Sequence, residues 1–477
     1  MKLTEKQTQV LIVGAGPSGL MMAAQLLRYG VQPVIIDSRQ GPTSYSKALA
    51  VQARTLEIYR QMGIADTLVN NGKKAAGLKF YYDGQLQSVL PLVDVGKNFT
   101  PFPYICLFPQ SKNEHVLLNY LTQNCCPVYW NTTLTSLQQN EQQVTVALNT
   151  EGDEYKLTCN WLVGADGAHS AVRRHLQIPF KGDTYPSMFY LADVVLRKAD
   201  DFVLLYSSGS DFTGFFPMPG QGAFRIVGNL PPALVDKTEI TLNDVLPYIG
   251  SSVKHELDVE QCNWFTTYKL HHRMAEKFSS DNCFLIGDAA HIHSPVGGQG
   301  MNTGLQDAYN LSWKLAGVIN RQLKPEILAT YADERMPVAK ELLKTTDRVF
   351  KMITSRNMLI NTFKKWLLPF LINRIRKNEQ LTFSVFKRVS QTGISYPHSA
   401  LNLHLSLLKA IKAGDRLPYL KVYDEKKKQE TDLHAWCSKP GFTLITIGAL
   451  QEMFLFTLAR WITQHHSAQL NFFHLPP

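Results

Sequence analysis

Gln9-Val10-Leu11-Ile12-Val13-Gly14-Ala15-Gly16-Pro17-Ser18-Gly19 is the stretch from which the fold of this chain is read. The apolar run Gln9 to Val13 feeds directly into Gly-x-Gly-x-x-Gly. Leu20, Ala23, Ala24 and Leu27 then recur at helical spacing until Gly30. A second apolar run, Val34 to Ile36, ends in Asp37. Strand, glycine-rich turn, helix, strand and acid in this register predict a βαβ unit that binds a dinucleotide. Glycines turn tightly and admit a pyrophosphate onto the helix start, where unpaired N–H groups and the helix dipole favour negative charge. Asp37 is placed for a ribose hydroxyl. The unit by itself leaves FAD and NAD(P) both open.

Two later stretches repeat the pattern of a strand that ends in Gly and Asp. Trp161-Leu162-Val163 runs into Gly164-Ala165-Asp166-Gly167-Ala168-His169-Ser170, with a helix expected from Ala171-Val172-Arg173. Cys283 to Ile286 runs into Gly287-Asp288-Ala289-Ala290-His291, then Pro295-Val296-Gly297-Gly298-Gln299-Gly300-Met301-Asn302. Beyond it, Met301, Leu305, Ala308, Leu311 and Leu315 mark one apolar helix face. A strand-end carboxylate such as Asp288 can accept hydrogen bonds from ligand hydroxyls, and the glycines let backbone approach a flat ligand.

Composition narrows the class. The chain has 477 residues, 45% hydrophobic, enough for a large core and two or three domains. A net charge of +10 suits anionic ligands. No basic run is interleaved with stacking aromatics, so nucleic acid is set aside. Seven cysteines without a Cys-x-x-Cys argue for a reducing compartment. The N-terminal apolar run stops at Gly14, too short for a signal peptide, so a cytoplasmic protein is expected. No stretch reaches the roughly 20 apolar residues of a membrane span. His291 and His293 lack partners at metal-ligand spacing, and no Gly-x-Ser-x-Gly elbow supports a hydrolase.

Residues 181–280 change character: strand-like runs separated by Pro, Gly, Asp and Ser turns predict an antiparallel sheet inserted into the nucleotide domain. Leu323 to Thr354 reads as helical. Met358 to Lys377 carries Leu359, Phe363, Trp366 and Phe370 on one side with lysines and arginines elsewhere. The expectation there is a helix docked on the protein's own core and interrupted by Pro369, with weak contact to a membrane surface as the alternative. The architecture predicted is α/β: a Rossmann-like nucleotide domain from 1–180 and 281–355, a β-sheet substrate domain over 181–280, a helical connector over 356–390, and a small C-terminal domain over 391–477.

Three separated motifs, in this order, resemble those of the group A FAD-dependent aromatic hydroxylases, the phenol and para-hydroxybenzoate hydroxylase superfamily. The Gly414-Asp415-Arg416-Leu417-Pro418 segment resembles the start of the thioredoxin-like C-terminal domain of the phenol hydroxylase branch. Lacking Cys-x-x-Cys, that domain is expected to serve structure or oligomerisation rather than redox chemistry. The resemblance implies that Gly14, Gly16, Ser18 and Gly19 bind the FAD pyrophosphate and Asp37 the adenosine ribose. Arg54 and Gln110 match cofactor-contacting positions, although from spacing alone Arg54 is equally a solvated surface arginine. Asp166 belongs to a motif linked to both FAD and NAD(P)H, and Asp288 to the ribityl chain. Pro295, Gly298, Gly300, Met301 and Asn302 would shape the flavin site. Lys47 stands where arginine is common in the family.

The activity implied is hydroxylation of a phenolic or polyketide-like aromatic molecule. NAD(P)H visits transiently to reduce the flavin, and O₂ forms a hydroperoxide at flavin C4a. The cofactor carries the hard chemistry. The rival readings are a non-catalytic flavin-binding protein, or another flavoenzyme such as a halogenase or isoprenoid reductase. The oligomeric expectation is a monomer or homodimer.

Overall fold

Val10, Leu11 and Ile12 are fully buried, one after another, as in a strand covered on both faces. The computed structural model describes residues 4–476 apart from 46, 92–94, 199, 255, 295–296, 356, 408–410 and 426. Within it Gln7–Val13 is the central strand of a mostly parallel sheet. It pairs with Asp153–Gly164 on one side and Val34–Ile36 on the other; Cys283–Leu285 and Val128–Tyr129 lie beyond them. Register sets Val13 opposite both Gly164 and Ile36, and Gly164 opposite Leu285. The Gly-rich loop, the two Gly/Asp loops and Asp37 therefore leave the sheet side by side at its carboxyl edge, where open α/β sheets bind ligands. The strands Thr132–Gln139 and Val144–Thr150 form a hairpin and join the sheet through Asp153–Gly164.

The second sheet is larger than the 181–280 insert. Phe180–Leu196, Val203–Ser208, Asp211–Pro217, Ala223–Asn229 and Val259–Ala275 supply five strands. Gly77–Tyr82 and Gln85–Pro91 add two more from a segment expected in the nucleotide domain, and His291–Ile292 edges the other side. The domain boundary is corrected accordingly. Asp83 and Gly84 make the tight turn between the added strands with φ of +49° and +77°, and Asp-Gly between apolar residues is a strong hairpin signal. What no local pattern contains is the parallel pairing of Gly77–Tyr82 with Val203–Ser208. Helix Leu242–Val253, also unanticipated, covers this sheet through Val245, Ile249 and Val253 against Tyr190, Ala192 and Val194.

The helix expected over Leu323 to Thr354 is Ala329–Ile353, which follows a short 3₁₀ turn. Pro369 does not interrupt the next helix. It stands in the first turn of Leu368–Lys377, after a π-helical turn at Phe363–Leu367, where a missing N–H costs least. Past residue 391 the strand pairs among the described residues are the hairpin Lys421–Asp424/Gln429–Asp432 and the parallel pair Phe442–Ile447/Leu470–Leu475, joined by helix Glu452–His465. This segment is tied to the nucleotide layer by Arg60–Asp432 (2.7 Å) and by Arg28 donating to the Ser438 carbonyl (2.7 Å). Arg416 is buried and donates to the carbonyls of Phe99 and Thr392.

Candidate active site

The three glycines of the first loop do different work. Gly14 has φ +106°, a conformation L side chains rarely adopt, and a Cβ there would strike the Ala165 carbonyl. A Cβ on Gly19 would strike the Gly14 carbonyl. One on Gly16 would meet nothing within 4 Å. The turn is thus closed against protein on two sides and open at Gly16, the side from which phosphates can approach.

Two long helices start beside this opening. Pro17–Arg28 and Gly300–Ile319 both begin without a side-chain cap and without an acidic residue in the first turn. Ser18 lies between them: a Cβ on either Gly287 or Gly304 would collide with its hydroxyl. Ser18 therefore spaces two helix starts whose dipoles and unpaired N–H groups add.

The three strand-end carboxylates differ sharply. Asp37 accepts from the Ala15 amide (2.7 Å) and from Arg39 through its amide (2.8 Å), Nε (3.0 Å) and Nη2 (3.0 Å). Asp166 is turned onto its own loop, accepting from Ser170 Oγ (2.5 Å) and the Val172 amide (3.0 Å); burial raises its pKa, against these bonds. Asp288 is exposed between buried Gly287 and Ala289 and, among the described residues, accepts no hydrogen bond. The surrounding protein raises its pKa while His291 and Lys47 pull it down. Asp288 is the carboxylate left free for a ligand.

Buried polar pins hold the loop around it. Asn302 is fully buried with every side-chain position used. Its Oδ1 accepts from the Gln52 amide (2.9 Å) and Thr55 Oγ1 (2.8 Å), and its Nδ2 donates to the Ala50 (2.8 Å) and Gly298 (2.9 Å) carbonyls. Asn302 thus positions the Gly298–Gly300 backbone and keeps no group of its own for a cofactor. Gly298 approaches closely: a Cβ there would lie 2.8 Å from that of Ala50. Asp307, also fully buried, accepts from the Gly287 amide (3.1 Å) and from Arg335 Nε (2.7 Å), and pairs with His291 Nε2 (2.8 Å). Burial alone would raise its carboxyl, but Arg335 and His291 hold it below the usual carboxylate range. His293 is driven down to about 4 by burial, so its ring is neutral beside the Gly300 helix start. Among the described residues its buried Nε2, like the Ser294 hydroxyl, has no hydrogen-bond partner. These orphaned groups, the open side of Gly16 and free Asp288 fit a flat polar cofactor lying along the carboxyl edge.

The remaining expected residues are less available. Arg54 is paired with Glu57 (3.0 Å), whose other oxygen accepts from Thr100 (2.7 Å) and meets Arg416 (3.4 Å). Gln110 opens helix Gln110–Gln123 and donates its amide to the Ala48 carbonyl (3.0 Å) and its side chain to Glu114 (2.9 Å). Met301 Sδ accepts from Asn113 (3.5 Å). Lys47 lies over the Tyr268 ring at 4.5 Å, its pKa lowered by desolvation with Asp288 opposing. Pro295 lies outside the described residues.

Sequence reading missed the pair that locks the second sheet over this edge. Arg225 and Asp193 stand opposite each other on neighbouring strands, bonded at 2.7 and 2.8 Å. Arg225 also donates to the carbonyls of Lys47 (2.9 Å) and Ala48 (3.3 Å). Single opposite charges inside two apolar strand runs were the available signal. Above the loop, Trp264 stacks on Tyr45 at 5.3 Å, and Phe189 and Tyr268 are close neighbours.

A parallel sheet whose edge loops converge on two uncapped helix starts, beneath an aromatic-bearing second sheet, defines a dinucleotide-binding flavoprotein. The family described as FAD binding domain matches residues 7–346. The 6-methylpretetramide 4-monooxygenase of Streptomyces rimosus is 36% identical over 351 residues, 73% of this chain and 63% of that protein. Pentachlorophenol 4-monooxygenase of Sphingobium chlorophenolicum is 32% identical over 418 residues, 86% of this chain and 75% of that one. The solved structure of the anhydrotetracycline hydroxylase OxyS from Streptomyces rimosus superposes with a TM-score of 0.78 at 26% identity, covering 98% of this chain and 90% of that one. The chain belongs to the FAD-dependent aromatic monooxygenase family.

Proposed function

We propose that this chain uses FAD, NAD(P)H and O₂ to hydroxylate a phenolic or polyketide-like aromatic molecule. The observation that carries the reading is the free, solvent-facing Asp288, next to Gly287, which packs against Ser18 and Gly304 of the two uncapped helices. FAD held there would supply the redox chemistry by which two electrons from NAD(P)H and one O₂ place one oxygen atom on the ring and release the other as water. The residues proposed to hold it are Gly14, Gly16 and Gly19 at the pyrophosphate, Asp37 at the ribose and Asp288 at the ribityl hydroxyls. The start of Gly300–Ile319 favours negative charge on the flavin ring. Arg273, Lys47 and Lys269 lie near His271, whose pKa burial and these neighbours lower, and the three cations suit the phosphates of a visiting NAD(P)H. The names of the relatives support an aromatic substrate, and the Tyr45–Trp264 stack with Tyr268 offers it aromatic surface. The structural ties at Asp432, Ser438 and Arg416 favour a supporting role for the C-terminal segment, whose single cysteine is Cys437.

Two measurements test this. Asp288→Ala should fold normally and purify largely colourless; a fully yellow, active variant sinks the site assignment. A panel of phenols and aromatic polyketides should accelerate NAD(P)H oxidation by the FAD-loaded protein. Bound flavin with no such acceleration by any of them would favour the non-catalytic alternative.

A further inference from the structure

A helix docked on a core turns apolar side chains inward and lysines outward; the helical run from Met358 to Lys377 departs from this at Lys364 and at a stripe of large apolar side chains. Lys364 is buried, its ammonium donating to the carbonyls of Gly209 and Ile353, and desolvation lowers its pKa. Ile372 is buried too, and Asn373 meets Ser88 on the strand Gln85–Pro91 (3.3 Å). Outward stand Leu359 (80% exposed), Trp366 (71%) and Phe370 (59%), with Leu367 beside them. Positions 359, 366 and 370, seven and four apart, make one helical stripe. The π-helical turn at Phe363–Leu367 sits where the inward lysine and the outward tryptophan exchange their usual places.

Charge points the same way. From Arg348 to Asn378 the sequence holds eight lysines and arginines and no aspartate or glutamate; Asp347 and Glu379 close the stretch. We propose that the outer face of this run docks on the surface of an anionic lipid bilayer. Trp366, Phe370 and Leu359 would enter the boundary between headgroups and acyl chains. Lys365, Arg374, Arg376 and Lys377 would stay among the anionic headgroups, their stems along the apolar surface. A second copy of the chain is disfavoured as occupant, because a two-fold contact would set this basic stretch against itself. No helix among the described residues is long and apolar enough to cross a membrane, so the contact is with the surface.

Sedimentation of the full FAD-loaded chain with phosphatidylcholine vesicles, with and without phosphatidylglycerol, tests this. Binding is expected only where phosphatidylglycerol is present, and it should weaken as salt rises. The pairs Trp366→Glu/Phe370→Glu and Arg374→Glu/Arg376→Glu should each bind roughly tenfold or more weakly, with unchanged melting temperature. If a glutamate pair melts early, Trp366→Ser and Arg374→Gln are read in the same way. Four results would overturn the proposal: no binding to either vesicle, equal binding to both, undiminished binding by the variants, or a dimer in solution that Trp366→Glu abolishes.

Discussion

Asn302 and Trp366 mark two regions built on opposite rules. Around Gly287–Asn310 several buried side chains are polar: Asn302, Asp307 and Arg335 are fully buried, and each is hydrogen-bonded within the protein. Along Met358–Lys377 and again in helix Glu452–His465 large apolar side chains stand exposed among charged ones, with Trp366 at 71% and Met453 at 74%. In the first region desolvated polar groups are tolerated because their partners are supplied, and the resulting network fixes a loop in one place. In the second, neighbouring elements leave apolar surface in water, which is a feature of surfaces that meet something else. A buried polar pin and an exposed apolar stripe are both departures from the ordinary pattern. The first is explained within the chain, the second only by a partner.

The largest test of this contrast is Asp307→Ala. It strands Arg335 and His291 without their common carboxylate, and should cost about 3–5 kcal/mol in urea unfolding. A loss below about 1 kcal/mol would mean that the network does not hold the Asp288 loop as described. A smaller effect comes from pH. The folded pKa of His293 lies near 4, below its ordinary 6.5, so the unfolded chain binds the extra proton between those values. The stability linked to His293 is therefore complete above about pH 6.5 and declines as pH falls towards 4, by up to about 3 kcal/mol. Urea midpoints of wild type and His293→Gln, compared over that range, should diverge; parallel curves would remove His293 from the account. Smallest in stability is Gly16→Ala, expected within about 0.5 kcal/mol of wild type but with weakened FAD binding. Gly19→Ala, forced against the Gly14 carbonyl, should lose about 1–3 kcal/mol. Equal losses in the two variants would contradict the open face assigned to Gly16.

Much of the nucleotide half was legible because its signals are local. Strand, glycine turn, helix and acid follow one another within about thirty residues, the span of one βαβ unit. The substrate sheet was recognisable as strands but wrongly bounded, because the hairpin at 77–91 joins it across more than a hundred residues through Val203–Ser208. Of the expected site residues, Arg54 and Asp166 turned out to be engaged by Glu57 and Ser170. Residue type tells which hydrogen bonds are possible; only neighbours from elsewhere in the chain decide which are made.

From sequence alone came the α/β class, the Gly-rich loop and the two Gly/Asp loops, because backbone conformation and strand patterning depend on residues close in the chain; the flavin family came from the resemblance of those motifs to known ones. Tertiary structure decided that those loops leave one sheet edge at one level, that Asp288 rather than Asp166 is free, and that Arg225 and Asp193 lock the second sheet above them. It also decided which way the stripe of Trp366 faces. Periodicity specifies that a helix has two sides, and packing alone determines which of them is covered.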